Sequence, residues 1–325
     1  MVKIAIIGAG LSGLTLASFL SNHASVTIFE KSRGYGGRIA TRYSGDYFFD
    51  HGAQFFTAHS DSFKNFVKPM IVENIISNWN ARFAEMDGGS LLRSSTWDHD
   101  YPHYVGVPGM NAIGKYLAES LNVKLNTKVT KLSNKKYWEL EDQNGNFLGE
   151  FDWVISSAPA LQTREIFPST YQNWSELEKV AMESCFSLML GFKHDLNLGF
   201  DAALVKNADI SWISVNSSKP GRKGGYSLLI HSTNKWATTH IDDDRDNVIS
   251  HLLSSLSMVL NRDLSNADHV DLQAWRYANM KKHKLQFEID PNNKLAVCGD
   301  WLIKGRIECA FLSAKNVYNQ FLKYL

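Results

Sequence analysis

The residues whose types and spacing could do chemistry stand at the start of the chain, in the run Lys3-Ile-Ala-Ile-Ile-Gly-Ala-Gly-Leu-Ser-Gly13. Gly8, Gly10 and Gly13 are spaced G-x-G-x-x-G, and the chemistry this spacing permits is phosphate binding. Gly8 allows a tight turn. Gly10, followed by Leu11 and Ser12, lets backbone N–H groups approach a pyrophosphate, and Gly13 lets the next helix pack against the strand. The motif needs a strand before it and a helix after it. Residues 4–7 form the unbroken apolar run of a buried parallel strand, and residues 14–20 continue as an apolar helix. A second strand, residues 26–29, ends at Glu30, an acidic residue placed to bind both hydroxyls of an adenosine ribose and to disfavour a 2′-phosphate. A tight turn with no ligand is the bland alternative.

Glu30-Lys-Ser-Arg-Gly-Tyr-Gly-Gly-Arg38 is a second glycine-rich loop. Lys31 lies in it. Arg33 and Arg38 can neutralise phosphate, while Gly36 and Gly37 let the chain pass close to a cofactor; a solvated loop is the other reading. In Phe48-Phe-Asp-His-Gly-Ala-Gln-Phe-Phe-Thr57, Gly52 and Ala53 allow close approach to something flat, and Gln54 offers an amide. His51 and Gln54 also read as parts of a hydrogen-bonded turn. Near the C-terminus, Leu295-Ala-Val-Cys-Gly-Asp-Trp301 is a short strand ending at Gly299 and Asp300. Lys304-Gly-Arg-Ile-Glu-Cys-Ala310 then opens a terminal helix.

These blocks together resemble the flavin amine oxidase superfamily, and within it the renalase-like flavoproteins. The Asp50–Thr57 block, Val107-Pro-Gly-Met110, Trp275-Arg-Tyr-Ala278 and the closing Gly-Asp-Trp…Gly-Arg-Ile-Glu carry the renalase-like resemblance. It implies non-covalent FAD held by the glycine and arginine loops, by the backbone of Val129 against the adenine, by Ala158 where residues 151–159 return to the cofactor, and by Gly299, Asp300, Arg306, Ile307, Glu308 and Ala310. The start of the terminal helix would favour an anionic reduced flavin. Two positions depart from the pattern: Cys309 and Ala314 stand where glycine is common. The resemblance further implies oxidation of the 2- and 6-dihydro isomers of NAD(P)H by hydride transfer to flavin N5, with O2 as acceptor and H2O2 and NAD(P)+ as products. A flavin amine or polyamine oxidase and a non-enzymatic FAD-binding sensor are the alternatives. Candidates for contact with a planar donor are Trp275, Tyr277, Gln54 and His231, with Trp236, Trp301 and Phe55 as further aromatic walls. No lysine is assigned beside the flavin: Lys235 and Lys281–Lys284 read as surface charge.

The rest of the chain must position these groups. At 325 residues it exceeds one ordinary core. The expectation is an α/β (α+β overall) protein: a Rossmann-like FAD-binding domain of the glutathione reductase/amine oxidase type, and a second, mainly antiparallel β-sheet domain with helices. The FAD-binding domain is discontinuous, residues 1–60, 100–162 and 290–325; the substrate domain takes 61–99 and 163–289. The sequence pattern predicts helices over 62–76, 112–121 (with Asn111 as N-cap), 161–167, 174–182 and 247–260. It predicts strands over 79–92, 123–132, 185–192, 202–205, 210–216, 226–232 and 269–278. Asp242-Asp-Asp-Arg-Asp246 suits the start of a helix better than a metal. Thirty-four basic and 33 acidic residues give a net charge of +1, no footprint for nucleic acid or an anionic membrane. Three cysteines without C-x-x-C spacing, no eighteen-residue apolar run and no leader pattern point to a cytoplasmic, reduced protein; a small-molecule substrate, a dihydropyridine nucleotide or an amine, is what the resemblance implies. The oligomeric state is not legible.

Overall fold

The computed structural model describes residues 1–280 and 289–325, so Lys281–Lys284 lie outside the described residues. A parallel sheet of five strands holds the N-terminal motif. Its order is Leu295–Val297, Trp153–Ser156, Lys3–Ile7, Ser25–Phe29 and Val123–Lys124. Both faces are covered, which is why its central strands are mostly apolar. Ile4, Ile6 and Ile28 meet the helices Leu11–Leu20 and Ile307–Phe321 on one face. Ala5, Ile7 and Val154 meet the three-stranded sheet of Val129–Asn134, Trp138–Asp142 and Phe147–Phe151 on the other.

A seven-stranded sheet forms the second layer. Its order is His269–Met280, Met182–Phe192, Tyr226–Ser232, Ile210–Val215, Ala202–Lys206, Arg82–Asp87 and Ser90–Thr96. All pairs are antiparallel except Ala202–Lys206 with Arg82–Asp87. Side chains alternate across it. Phe186, Leu188, Leu228, Ile230 and Ile213 pack against Val248, Leu252 and Leu256 of the helix Arg245–Leu260. The opposite face carries Ser187, His231, Trp212 and Trp275, and it faces the loops of the first sheet.

Several expected boundaries shift; the strands expected over 79–92 and 123–132 are each divided in two, and the helix expected to 121 ends at Ala118. The helix expected over 174–182 stops at Glu178, because Met182 already begins the long central strand. The helix expected to 76 ends at Val72, and Ile76 starts a short strand. Asn111 is the first helical residue and not the cap: Met110 takes the cap position without a side-chain bond, and Asn111 accepts from the Tyr43 hydroxyl. The acidic run is helix-start chemistry. Asp244 caps Arg245–Leu260 by accepting from the N–H groups of Asp246 and Asn247, and Asp242 pairs with Arg276.

Candidate active site

Gly10 caps the helix Leu11–Leu20 with no side-chain bond, so the first-turn N–H groups are left for a ligand. A Cβ at Gly10 would meet nothing within 4 Å, which makes this end of the strand an open cradle. A Cβ at Gly13 would stand 2.2 Å from the Gly8 carbonyl oxygen, so helix and turn are in backbone contact. The second loop docks on the first: Gly36 N–H donates to Ala9 O at 2.8 Å. Glu30 is buried at the strand end, accepting from Ala9 N–H and from the Ser32 hydroxyl and N–H. Lys31 and Arg33 point to solvent, Lys31 reaching Gln162 at 3.3 Å. Arg38 turns inward to pair with Asp300 and to donate to Ala278 O at 3.0 Å.

Around this cradle, Leu11 is buried and Ser12 ties the two flanking helices together by donating to Ala310 O. Val129 is buried where its strand begins, and Ala158 O accepts from the Trp301 indole. Gly299 N–H donates to Ser313, Arg306 caps the terminal helix, and Ile307 opens it. Glu308 has another task. Its carboxylate accepts from the N–H groups of His59 and Ser60, anchoring the start of the helix Asp61–Val72. Cys309 is buried, and burial pushes its thiol up, away from the nucleophilic thiolate.

The turn from Asp50 to Gln54 joins the two layers. Gly52 crosses the Arg38 carbonyl so closely that a Cβ would stand 1.9 Å from its oxygen. Gln54 is expected to face substrate, but its amide is engaged inside the protein. Nε2 donates to the Asp50 and Gly52 carbonyls, while Oε1 accepts from Ser214 and Lys219. Lys219 is 2 % exposed and bonds Asp50, Gln54 and Asn216. Burial alone would push the Asp50 carboxyl up; the Lys219 and Arg222 cations override it and hold it at about 2. Burial lowers Lys219 to about 8. The sequence analysis does not single out this hub: Lys219 stands among the turn-forming residues Ser218-Lys-Pro-Gly-Arg222, and its partner Asp50 lies 169 positions away.

Above the turn lies a recess of rings. The His51 and Trp275 rings stack at 5.3 Å, and the His51 carbonyl accepts from the Trp275 indole and the Ser187 hydroxyl, both at 2.7 Å. His231 pairs in register with Ser187 and Trp212. Tyr277 follows Trp275 on the same face of the strand. Phe55 packs on Trp97, His103 and Trp212 to extend the wall. Among the described residues, His51 Nδ1, His231 Nε2 and Trp212 Nε1 are buried without a hydrogen-bond partner. Such groups cost free energy unless a ligand satisfies them. Two expected wall residues are elsewhere. Trp301 is wholly buried in the core beside the parallel sheet, and Trp236 packs on the far face of the seven-stranded sheet.

Burial and the Arg42 cation hold His51 at about 4; burial, Lys219 and His51 hold His231 at about 3. Both values lie below the unfolded value, so the unfolded chain binds more protons as pH falls below about 6.5. Stability contributed by the two neutral rings is therefore complete above that pH and is lost progressively as pH falls from it toward the folded values. The melting temperature is expected to drop between pH 7.5 and pH 5, and His231→Asn is expected to flatten that slope, read by thermal unfolding at both pH values.

A parallel sheet with a bare helix N-terminus at its strand ends, joined to an antiparallel sheet that presents an aromatic recess, defines a two-layer dinucleotide-cofactor oxidoreductase. Comparison with known proteins agrees. A model of the NAD(P)-binding Rossmann-like domain matches residues 6–69, and one of the flavin-containing amine oxidoreductases matches residues 79–317. The chain belongs to the flavin-containing amine oxidoreductase family. Renalase of Mus musculus is 23% identical over 284 residues, 80% of each chain. Among solved structures, an Exiguobacterium sp. 255-15 protein provisionally named a protoporphyrinogen oxidase superposes with a TM-score of 0.79 at 11% identity, over 100% of this chain and 99% of that one. Wild-type putrescine oxidase bound to putrescine superposes at 0.74 with 10% identity, over 99% of each. FAD is the cofactor, and the open cradle at Gly10, the uncapped helix and Glu30 fit its phosphates and ribose. The protein is a flavin-dependent oxidoreductase of the amine oxidase type. Among the described residues no helix is long and apolar enough to cross a membrane.

Proposed function

We propose that the protein oxidises 2- and 6-dihydro isomers of NAD(P)H, consuming O2 and releasing NAD(P)+ and H2O2. The observation that carries this reading is that, among the described residues, the recess offers rings and no base held ready at neutral pH. His51 and His231 face it, and at about 4 and about 3 neither takes a proton at neutral pH. Lys219 lies behind Gln54 with three acceptors of its own. A donor suited to such a site must give up a hydride without first losing a proton, and a dihydropyridine does so.

FAD, when bound, supplies the two-electron acceptor. The hydride leaves the ring carbon with its electron pair and the ring becomes a pyridinium; the hydride, O2 and one added proton balance as H2O2. Trp275 and Phe55 orient the flat donor, and the free nitrogens of His231 and Trp212 are available to its polar substituents. The similarity to renalase supports this reading.

The test is anaerobic mixing of the purified yellow protein with 2- and 6-dihydro-NAD. Flavin bleaching within seconds, with NAD+ formed and H2O2 released on admitting air, is the expected result. Bleaching by a primary or secondary amine and by neither isomer would replace this reading with an amine oxidase. A flavin that no donor reduces would favour a sensor.

A further inference from the structure

Behind the Asp50–Gln54 turn lies a buried charge that the donor reading does not use. The side chains of Asp50, Lys219 and Arg222 are 0%, 0% and 1% exposed. The set holds two cations against one anion. The other partners of the two cations are neutral: Gln54, Asn216 and the carbonyls of Gly106 and Pro220. Lys219 also sits over the Trp79 ring at 5.3 Å, which balances part of the surplus without cancelling it. Water does not screen a charge held this deep, so its field extends to its neighbours.

The recess is one neighbour. Lys219 and Ser214 donate to the same Gln54 oxygen, and Ser214 lies two residues beyond Trp212, the register partner of His231. The Lys219 charge is one cause of the weak proton affinity of His231. On the other side, His51 faces Asp50, Arg42 and Asp271, and Asp271 is already paired with both Arg42 and Arg245. No acid among these is left to offset the surplus.

We propose that Lys219 is a specificity-determining residue acting through its field: it makes the Trp275 recess accept neutral and anionic rings and reject cationic ones. This rests on the recess being the donor site, and not on which donor is used. Two consequences follow for chemistry. An amine would have to enter without its proton. A neutral dihydropyridine would become a cation on oxidation, so the same field that admits the donor expels the product.

The experiment titrates the FAD-loaded protein with three rings that differ in charge: nicotinate, nicotinamide and 1-methylnicotinamide. Binding is read from the perturbation of the flavin absorbance. In the wild type the cation is expected to bind about tenfold or more weaker than the neutral ring. In K219Q, checked for FAD content and circular dichroism, that handicap disappears while nicotinamide affinity holds. Should K219Q fail to fold, the wild type at pH 7 and pH 9.5 gives the answer alone. Lys219 loses its proton near about 8, so at pH 9.5 the handicap shrinks and nicotinate weakens. Equal affinities for the three rings in the wild type, or a handicap unchanged both in K219Q and at pH 9.5, would overturn the proposal and leave the donor site standing. If none of the rings perturbs the flavin, the donor-site reading falls and the proposal falls with it.

Discussion

Replacing Asp50 with asparagine is expected to destabilise the protein by about 3–5 kcal/mol, the loss found when one partner of a buried ion pair is removed. The substitution is nearly isosteric, so the effect comes from charge and not from a cavity. Lys219 and Arg222 would remain buried with no anion between them. The same carboxylate also accepts from the Thr41 hydroxyl at 2.8 Å and the Met110 N–H at 2.9 Å, so several donors weaken at once. The pH dependence gives the effect a signature. The folded carboxyl sits at about 2, below its ordinary value of 3.8, so its contribution is complete above 3.8 and is lost as pH falls toward 2. The gap between wild type and D50N should close as pH falls below 4. It should also narrow as pH rises toward 8, because Lys219 without the Asp50 carboxylate gives up its proton at lower pH than in the wild type and less charge is left unpaired. Urea midpoints of both proteins across that range check this; a small gap independent of pH would mean that the hub contributes only packing.

This hub marks the limit of what the chain discloses by itself. The phosphate end of the site is local. Gly8, Gly10, Gly13 and Glu30 lie within twenty-three residues, and their meaning is set by backbone geometry that the spacing alone fixes. The donor end is assembled from distant pieces. Asp50 meets Lys219 across 169 positions, and the Trp275 indole meets the His51 carbonyl across 224. Nothing in the short-range pattern of either residue announces its partner. Trp275, Tyr277 and His231 are legible as ring and imidazole candidates because strand alternation assigns them a face. Their neighbours Trp97, His103 and Trp212 are not, since nothing local says that three separate segments converge.

Gln54 and Glu308 show a second limit. Both lie in blocks that bear on the site, and both have side chains suited to a ligand. Their polar atoms are nevertheless taken by other groups of the protein: Gln54 by two carbonyls of its own turn and by the Ser214 and Lys219 side chains, Glu308 by N–H groups at the start of the helix Asp61–Val72. A motif locates a residue near a site but does not say which neighbour claims its hydrogen bonds. That question is decided by the unpaired polar groups, backbone and side chain, that folding brings close.

Alanine at Gly10 and at Gly13, three residues apart, should fail in opposite ways. At Gly13 the new methyl would stand 2.2 Å from the Gly8 carbonyl oxygen. Backbone on both sides leaves no flexible end to move, so helix and turn must separate, at an expected cost of about 3 kcal/mol or more. At Gly10 the backbone has φ −73° and ψ 176°, which alanine adopts freely, and nothing lies within 4 Å of the added methyl. The apoprotein should then keep its melting temperature, with a stability change within about 0.5 kcal/mol. What the methyl occupies is the space over the bare N–H groups of Leu11–Leu20, where a pyrophosphate must come close. G10A should therefore purify folded and colourless, with FAD affinity lowered about a hundredfold or more, a loss of roughly 2.7 kcal/mol. Flavin content on purification, FAD titration of the apoprotein and thermal unfolding without flavin separate the two variants. Retention of full FAD affinity by G10A would mean that the cofactor phosphates lie away from this cradle, whatever else the fold and the family imply.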